Sequence, residues 1–357
     1  MVETPPTQTH VLIAYNLLML AVDAAAIFAA ARAKTVGGRL AAVGAAAFAA
    51  VLLCGAARPG IFGQMRLMAC GLFVHGVILS AAMAVIAGHK RWIAAAAWGA
   101  TGMALAVVGV DAFFIEPYWL DVSRLTLRSA KIEQPLRIVA LADFQTDTLG
   151  TFERDVLRRV VAEQPDIVLL VGDYIQVDAE RWDATAEQFR RLWREAGIAP
   201  PSGVYAVKGN IDPPQWTELF RDSNVHLFTD TDSVEAAGVQ ITGLSQPDSL
   251  DPFLRMAPAE RFHIVFGHHP DYALSDVPAD LLLAGHTHGG QVRLPLIGPL
   301  LTLSNVPRSW AAGVTQRRGG DSTLVVSRGT GLERGNAPRL RFLCRPELVV
   351  IQLQPAK

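Results

Sequence analysis

Apolar residues run almost unbroken through four stretches of the first third of the chain. Beyond them they fall into short blocks separated by polar turns. The four stretches cover residues 11–31, 40–57, 68–87 and 92–114. Each is close to the ~20 residues a helix needs to cross a bilayer. Backbone groups in hydrocarbon must bond internally, which leaves helices as the solution. A cleaved leader would be one apolar run behind a basic segment; here four follow one another, and no Lys or Arg precedes the first. A soluble four-helix bundle would need polar faces, and these stretches have almost none.

The second part has a different rhythm. Apolar runs at 136–141, 166–171 and 203–207 predict buried strands. Between them, residues 151–163 carry helical spacing at Phe152, Val156, Val160 and Val161, and 184–195 predicts a second helix. Further strands are predicted at 239–242, 263–266, 280–283, 322–326, 340–343 and 348–353. Strand–helix alternation followed by a strand-rich tail predicts an α/β sandwich of two mixed sheets flanked by helices. The expected organisation is a transmembrane domain of about four helices over 1–117, a connector over 118–134 and a globular domain over 135–357.

Charge sharpens this division. Residues 10–115 carry 9 Asp, Glu, Lys or Arg, and residues 116–357 carry 55. The short loops hold the cations: Arg32, Lys34 and Arg39 in the first, Arg58 and Arg66 in the second, Lys90 and Arg91 in the third. Five basic residues against two place loops one and three inside, and the globular domain on the outer (periplasmic) face of a cell membrane. Phe113, Phe114, Tyr118 and Trp119 suit an interfacial aromatic belt. Asp23, inside the first stretch, is either a functional carboxylate or a residue paired with a neighbouring helix. The formal net charge of -1 excludes a strongly basic nucleic-acid binder at whole-chain level. Cys54, Cys70 and Cys344 form neither a disulfide framework nor a CxxC metal site.

Polar clusters follow five of the predicted strands. They are Asp143-Phe144-Gln145-Thr146-Asp147, Gly172-Asp173-Tyr174, Gly209-Asn210-Ile211-Asp212, Gly267-His268-His269-Pro270-Asp271 and Gly285-His286-Thr287-His288-Gly289-Gly290-Gln291. Ligands of open α/β sheets bind outside the carboxyl ends of strands. One Asp at a strand end is as readily a helix cap. Together the clusters supply carboxylates, an amide and imidazoles, a mixture that suits Zn, Mn or Fe. Two such ions activate a water and clamp a phosphoryl oxygen. No P-loop, dinucleotide fingerprint, HExxH or GxSxG element is present. A transporter would leave the five clusters without a role.

This order of motifs resembles the calcineurin-like metallophosphoesterase superfamily, and within it a membrane-attached bacterial subfamily. The resemblance rests on Gly172-Asp173-Tyr174, on Gly285 through Gln291, on Leu294-Pro295-Leu296-Ile297-Gly298-Pro299, and on the tail around Arg328-Gly329 and Arg339-Leu340-Arg341-Phe342. It implies two divalent metal ions bridged by Asp173, with Asp143 and His288 on one and Asn210, His268 and His286 on the other. His269 and Asp271 would support these ligands from behind. Two positions depart from the family pattern. Gln145 stands where a His ligand is usual, with Asp147 a substitute two residues on. Ile211 stands where a His usually protonates the leaving group, leaving Asp212 without its customary partner.

The resemblance therefore implies a membrane-anchored, metal-dependent phosphoesterase. It would use metal-activated water on a phosphodiester or pyrophosphate, including lipid-linked ones, with Asp173, Asn210 and Asp212 in the catalytic group. The alternative is a catalytically degenerate metal-binding relative that serves as a ligand-binding or interaction protein. Tyr174 is expected to pack rather than stack on a base.

Overall fold

The computed structural model describes residues 7–57 and 60–356. They divide into two compact units, one containing the chain up to residue 115 with 333–339, the other 116–332 with 340 onward.

The first unit is helical: α1 (Thr7–Arg32), α2 (Val36–Ala57), α3 (Gly60–Cys70), α4 (Gly76–Ala87) and α5 (Trp92–Val110). A single π turn, Gly71–His75, joins α3 to α4. Four spans are long and apolar enough to cross a membrane: Thr9–Arg32, Val36–Ala57, Gly60–Ala87 and His89–Tyr118. Leu17, Leu18, Phe28, Phe48 and Met103 stand exposed on the helices. The third span begins at Gly60, not at 68, so Arg66 lies within α3 rather than in a loop. One cation on a long aliphatic stem does not end an apolar helix. Arg58 lies outside the described residues. Small residues let helices approach: a Cβ on Gly102 of α5 would stand 3.1 Å from that of Ser80 on α4. Asp23 is paired. Its Oδ2 lies 2.6 Å from His75 Nδ1, and His75 Nε2 lies 3.1 Å from Asn16 Oδ1.

The second unit is an α/β sandwich. Its strands are β1 (Asp121–Ser129), β2 (Leu136–Leu141), β3 (Ile167–Leu170), β4 (Val204–Val207), β5 (Val225–Phe228), β6 (Asp232–Ala236), β7 (Val239–Gly243), β8 (Phe262–Phe266) and β9 (Leu281–Ala284). There follow a two-stranded hairpin, β10 (Arg293–Leu294) with β11 (Gly298–Pro299), then β12 (Gly313–Arg317), β13 (Ser322–Val326) and β14 (Glu347–Pro355). One six-stranded sheet has the order β1-β14-β2-β3-β4-β5, the other β12-β13-β9-β8-β7-β6. Both are mixed: β2 to β5 run parallel while β14 is antiparallel to β2, and β7, β8, β9 and β13 run parallel between antiparallel edges.

The core explains the sequence rhythm. Ile138, Leu169, Val207, Ile264, Leu283 and Ile351 meet between the sheets. The opposite face of the first sheet is covered by α6 (Thr151–Ala162) and α7 (Ala179–Ala196) through Val156, Val160, Trp182, Phe189 and Trp193. Strands covered on both faces need apolar residues at every position, hence continuous runs rather than alternation.

Two stretches differ from expectation. Part of the expected connector, Asp121–Ser129, is β1, an edge strand whose nine residues pair in parallel with β14. Its apolar residues are only Val122, against the helix side, and Leu125 and Leu127, against the other sheet, because this edge strand is nowhere fully buried. The strand predicted at 340–343 does not form; Phe342 makes only an isolated bridge to Val292. Arg341 is instead fully buried, donating to the carbonyls of Arg328, Gly329, Gly331 and Cys344. A buried turn has carbonyls to satisfy, and a guanidinium supplies five donors.

Candidate metal centre

The predicted site residues follow β2, β3, β4, β8 and β9, whose carboxyl ends lie at one edge of the sandwich. Parallel β2, β3 and β4 bring Asp143, Asp173 and Asn210 side by side, and β8 with β9 delivers His268 and His286. The turns after the neighbouring strands β3 and β4 approach closely here. A Cβ on Gly172 would stand 2.5 Å from Gly209 N, and one on Gly209 would overlap Asp173 Oδ1. Five predicted ligands turn through the left-handed region: Asp143 (φ 46), Gln145 (24), Asp173 (57), His286 (67) and His288 (48). Such conformations cost of order 1–3 kcal/mol each and cluster where function holds them.

The atoms that face one another are electron-pair donors. His268 Nδ1–H donates to Val171 O at 2.9 Å, which turns Nε2 inward. His286 Nε2–H donates to Leu303 O at 3.1 Å, which turns Nδ1 inward. Asn210 Oδ1 lies 2.8 Å from that Nε2 and 2.7 Å from that Nδ1. Asp173 Oδ2 is 3.2 Å from His268 Nε2. Lone pairs converge at this point, and only a proton or a cation between them makes the arrangement favourable. Asp143, Asp173 and His268 form one group with ligand atoms within 4.8 Å of each other, and His268, His269 and His286 form another. Imidazole, carboxylate and amide donors at this spacing fit a divalent transition ion.

Electrostatics agree. Burial works against charge on His268, yet Asp173 and Asp143 hold its pKa up to about 9. Burial, together with Asp173, lifts Asp143 up to about 7. Burial also pushes Asp173 up, but His268 and the Ile211 N–H outweigh it and hold the carboxyl below the usual range. Burial, then the charge of His268, lowers His286 to about 4. In the metal-free chain protons sit where a cation would neutralise the same charges.

The remaining predicted residues are less tightly gathered. His288 Nε2 is 4.0 Å from Asp143 Oδ1; His288 Nδ1 and Asp143 Oδ2 are buried without a hydrogen-bond partner among the described residues. Gln145 donates through Nε2 to Gln176 Oε1 at 2.9 Å. Asp147 belongs to neither ligand group. Asp212 is occupied: its carboxylate accepts from the N–H groups of Asp173, Tyr174 and Gly209, each at 2.8 Å. It thereby ties the β3 and β4 turns together, while burial and then Asp173 raise its pKa to about 7. Ile211 N–H donates to Asp173 Oδ1 at 3.0 Å.

The support behind the ligands is backbone carbonyl, from Val171 and Leu303, and no sequence motif marks either. Asp271 accepts no hydrogen bond from a histidine among the described residues. It accepts from Ser304 Oγ and from Asn305 N and Nδ2, pinning the 303–305 loop. His269 stands against His286, ring centroids 4.0 Å apart, and burial lowers its pKa to about 2. Tyr174 packs: it stacks on Trp216 and its hydroxyl donates to Val207 O at 2.7 Å.

Known proteins share this frame. The calcineurin-like phosphoesterase family matches residues 136–290. The metallophosphoesterase YkuE of Bacillus subtilis is 28% identical over 68% of this chain and 88% of its own length. The phosphodiesterase YaeI of Escherichia coli is 29% identical over 67% and 90%. The UDP-2,3-diacylglucosamine pyrophosphatase LpxG of Chlamydia muridarum is 24% identical over 67% and 90%. With the two mixed sheets and the ligand-bearing strand ends in place, residues 136–290 match a calcineurin-like phosphoesterase domain.

Proposed function

We propose that the chain is a membrane-anchored phosphoesterase that holds two divalent ions, Mn, Zn or Fe, and hydrolyses phosphodiester or pyrophosphate bonds. The observation that carries this reading is the convergence of His268 Nε2, His286 Nδ1, Asn210 Oδ1 and Asp173 Oδ2, four lone-pair atoms, with the other ring N–H of each histidine committed to a carbonyl. Asn210, His268 and His286 would hold one ion, Asp143 and His288 the other, with Asp173 shared and Gln145 at the edge of the second. When bound, the ions lower the pKa of a water and neutralise the phosphoryl oxygens. Asp173 is suited to bridging because its carboxyl stays ionised in this buried place. Asp212 holds the Asp173 and Asn210 turns in register.

Ile211 has no proton to give. General acid help contributes ~10²–10⁴-fold where it exists, so its lack favours substrates whose leaving group departs as a stable anion, such as a pyrophosphate or an activated diester. A lipid-linked phosphoester is supported by the four apolar spans and by the activity named for the Chlamydia muridarum relative. The basic first and third loops favour the catalytic domain on the outer face.

The test is metal content by elemental analysis of the full chain in detergent, beside hydrolysis of bis(p-nitrophenyl) phosphate. Two ions per chain, with loss of both metal and turnover in Asp173→Ala, is the expected result. One ion would leave Gln145 as a position that no longer supports a second. No metal under several loading conditions would overturn the hydrolase reading in favour of a ligand-binding relative.

A further inference from the structure

A cleft of about 350 Å³ opens beside the metal centre, with Leu250, Leu300, Leu301 and Leu303 along its apolar part and Asp271, Thr302, Ser304, Asn305 and Arg308 along its polar part. Its volume lies within the range of small-molecule sites. It shares a wall with the centre, because Leu303 O is the acceptor of the His286 ring. Asp271 pins that wall through Ser304 and Asn305, so the cleft is held in place from the motif that carries His268.

Most of its leucines and several neighbours in sequence are exposed. Leu296 is fully exposed at the tip between β10 and β11, followed by Ile297, Leu300 and Leu303; Leu250 and Phe253 are exposed on the other side of the sequence. A single exposed leucine needs no explanation, but Leu250, Leu300 and Leu303 exposed around one cleft do. Backbone conformation adds a second observation. Leu296 (φ 66) and Leu303 (φ 52) both occupy the left-handed region. Turns there take glycine or asparagine at low cost, and a leucine is a strained choice. The Leu303 backbone serves His286, but neither leucine side chain gains burial in the fold, so the gain for the side chains lies in an apolar contact. Arg308 on the rim is exposed and complements an anionic head next to an apolar tail.

We infer that this cleft is an acyl-chain subsite, which takes the hydrocarbon tail of an amphiphilic phosphoester while its phosphate lies at the metal centre near Arg308. The inference rests on the phosphoesterase reading and names the substrate class for that site. The subsite is a specificity element: it lowers KM for chain-bearing substrates and leaves the chemistry of the phosphate to the centre.

The experiment uses the full chain in detergent micelles with Mn²⁺ and two p-nitrophenyl phosphodiesters, one carrying a methyl and one a dodecyl group. Leu250→Ser and Leu300→Ser should each lower kcat/KM for the dodecyl ester by about tenfold, through KM, and leave the methyl ester within about twofold. A dodecyl phosphonate with a terminal diazirine should photolabel peptides containing Leu250 and residues 300–303. Equal losses on both esters, or no loss on either, would overturn the subsite. Labelling confined to 296–297 would make the patch a bilayer contact, and crosslinks between two chains would make it a self-association face; each replaces the proposal. Should the wild type cleave neither ester, the hydrolase reading fails, while the photolabel still decides whether the cleft takes a chain.

Discussion

Ile211 and Asp212 stand next to each other and do opposite things. Ile211 gives the centre only its backbone N–H, so the side chain is open to replacement. If the lack of a proton donor limits turnover, Ile211→His should raise kcat on a poor leaving group, such as an alkyl phosphodiester, by about 10²-fold. An activated nitrophenyl ester should change little, and a uniform effect on both would count against the leaving-group argument. Asp212 holds three backbone N–H groups. Asp212→Ala would leave three buried donors unpaired and should destabilise the domain by about 2–4 kcal/mol, measured by urea unfolding, with bound metal lost as well. The pattern Gly-Asn-x-Asp was plain in the sequence. The structural task of Asp212 was not, because its partners are main-chain atoms of residues 173 and 174, which the sequence does not mark as acceptor-seeking.

At the scale of elements, the long apolar runs were readable because both faces of β2, β3, β8 and β9 are covered. The helix α7 packs through an aromatic cluster in which Phe189 meets Phe144, Tyr174, Trp193 and Phe220. Phe189→Ala should therefore cost about 3–5 kcal/mol, more than the same change at an exposed helix position, and a lowered midpoint with unchanged metal stoichiometry at low temperature would show the loss is packing alone. Element reading failed where burial did not set the pattern. Strand β1 is nowhere fully buried and reads as a polar link. The segment around Arg341 alternates like a strand, yet its arginine points inward to carbonyls, and hydrogen-bond demand rather than hydrophobicity decided the conformation.

At the scale of the molecule, buried imidazoles make stability depend on pH. His263 is buried, its Nε2 2.7 Å from Thr242 Oγ1, and burial lowers its pKa from 6.5. The unfolded chain takes up a proton below pH 6.5 that the folded chain refuses until lower pH. Stability is therefore undiminished above that value and falls as pH drops below it, by at most about 1.4 kcal/mol per pH unit for this one group. His263→Phe should flatten the acid limb of a stability profile recorded from pH 7 to 5; an unchanged limb would show that His263 protonates freely in the fold.

Four apolar spans, the strand–turn clusters and the residue types of the candidate ligands were legible in the sequence, because long apolar helices, two-faced strand burial and metal-ligand chemistry each demand particular residue types in order along the chain. What the tertiary structure alone decided were relations between distant segments. The tautomers of His268 and His286 are set by carbonyls of Val171 and Leu303, 97 and 17 residues away. Asp271 turns to a loop more than 30 residues on instead of to a histidine. The leucine cleft takes one wall from Leu250 and another from residues 300–303. Hydrogen bonds and clefts depend on direction and proximity in space, and neither is encoded by spacing along a chain.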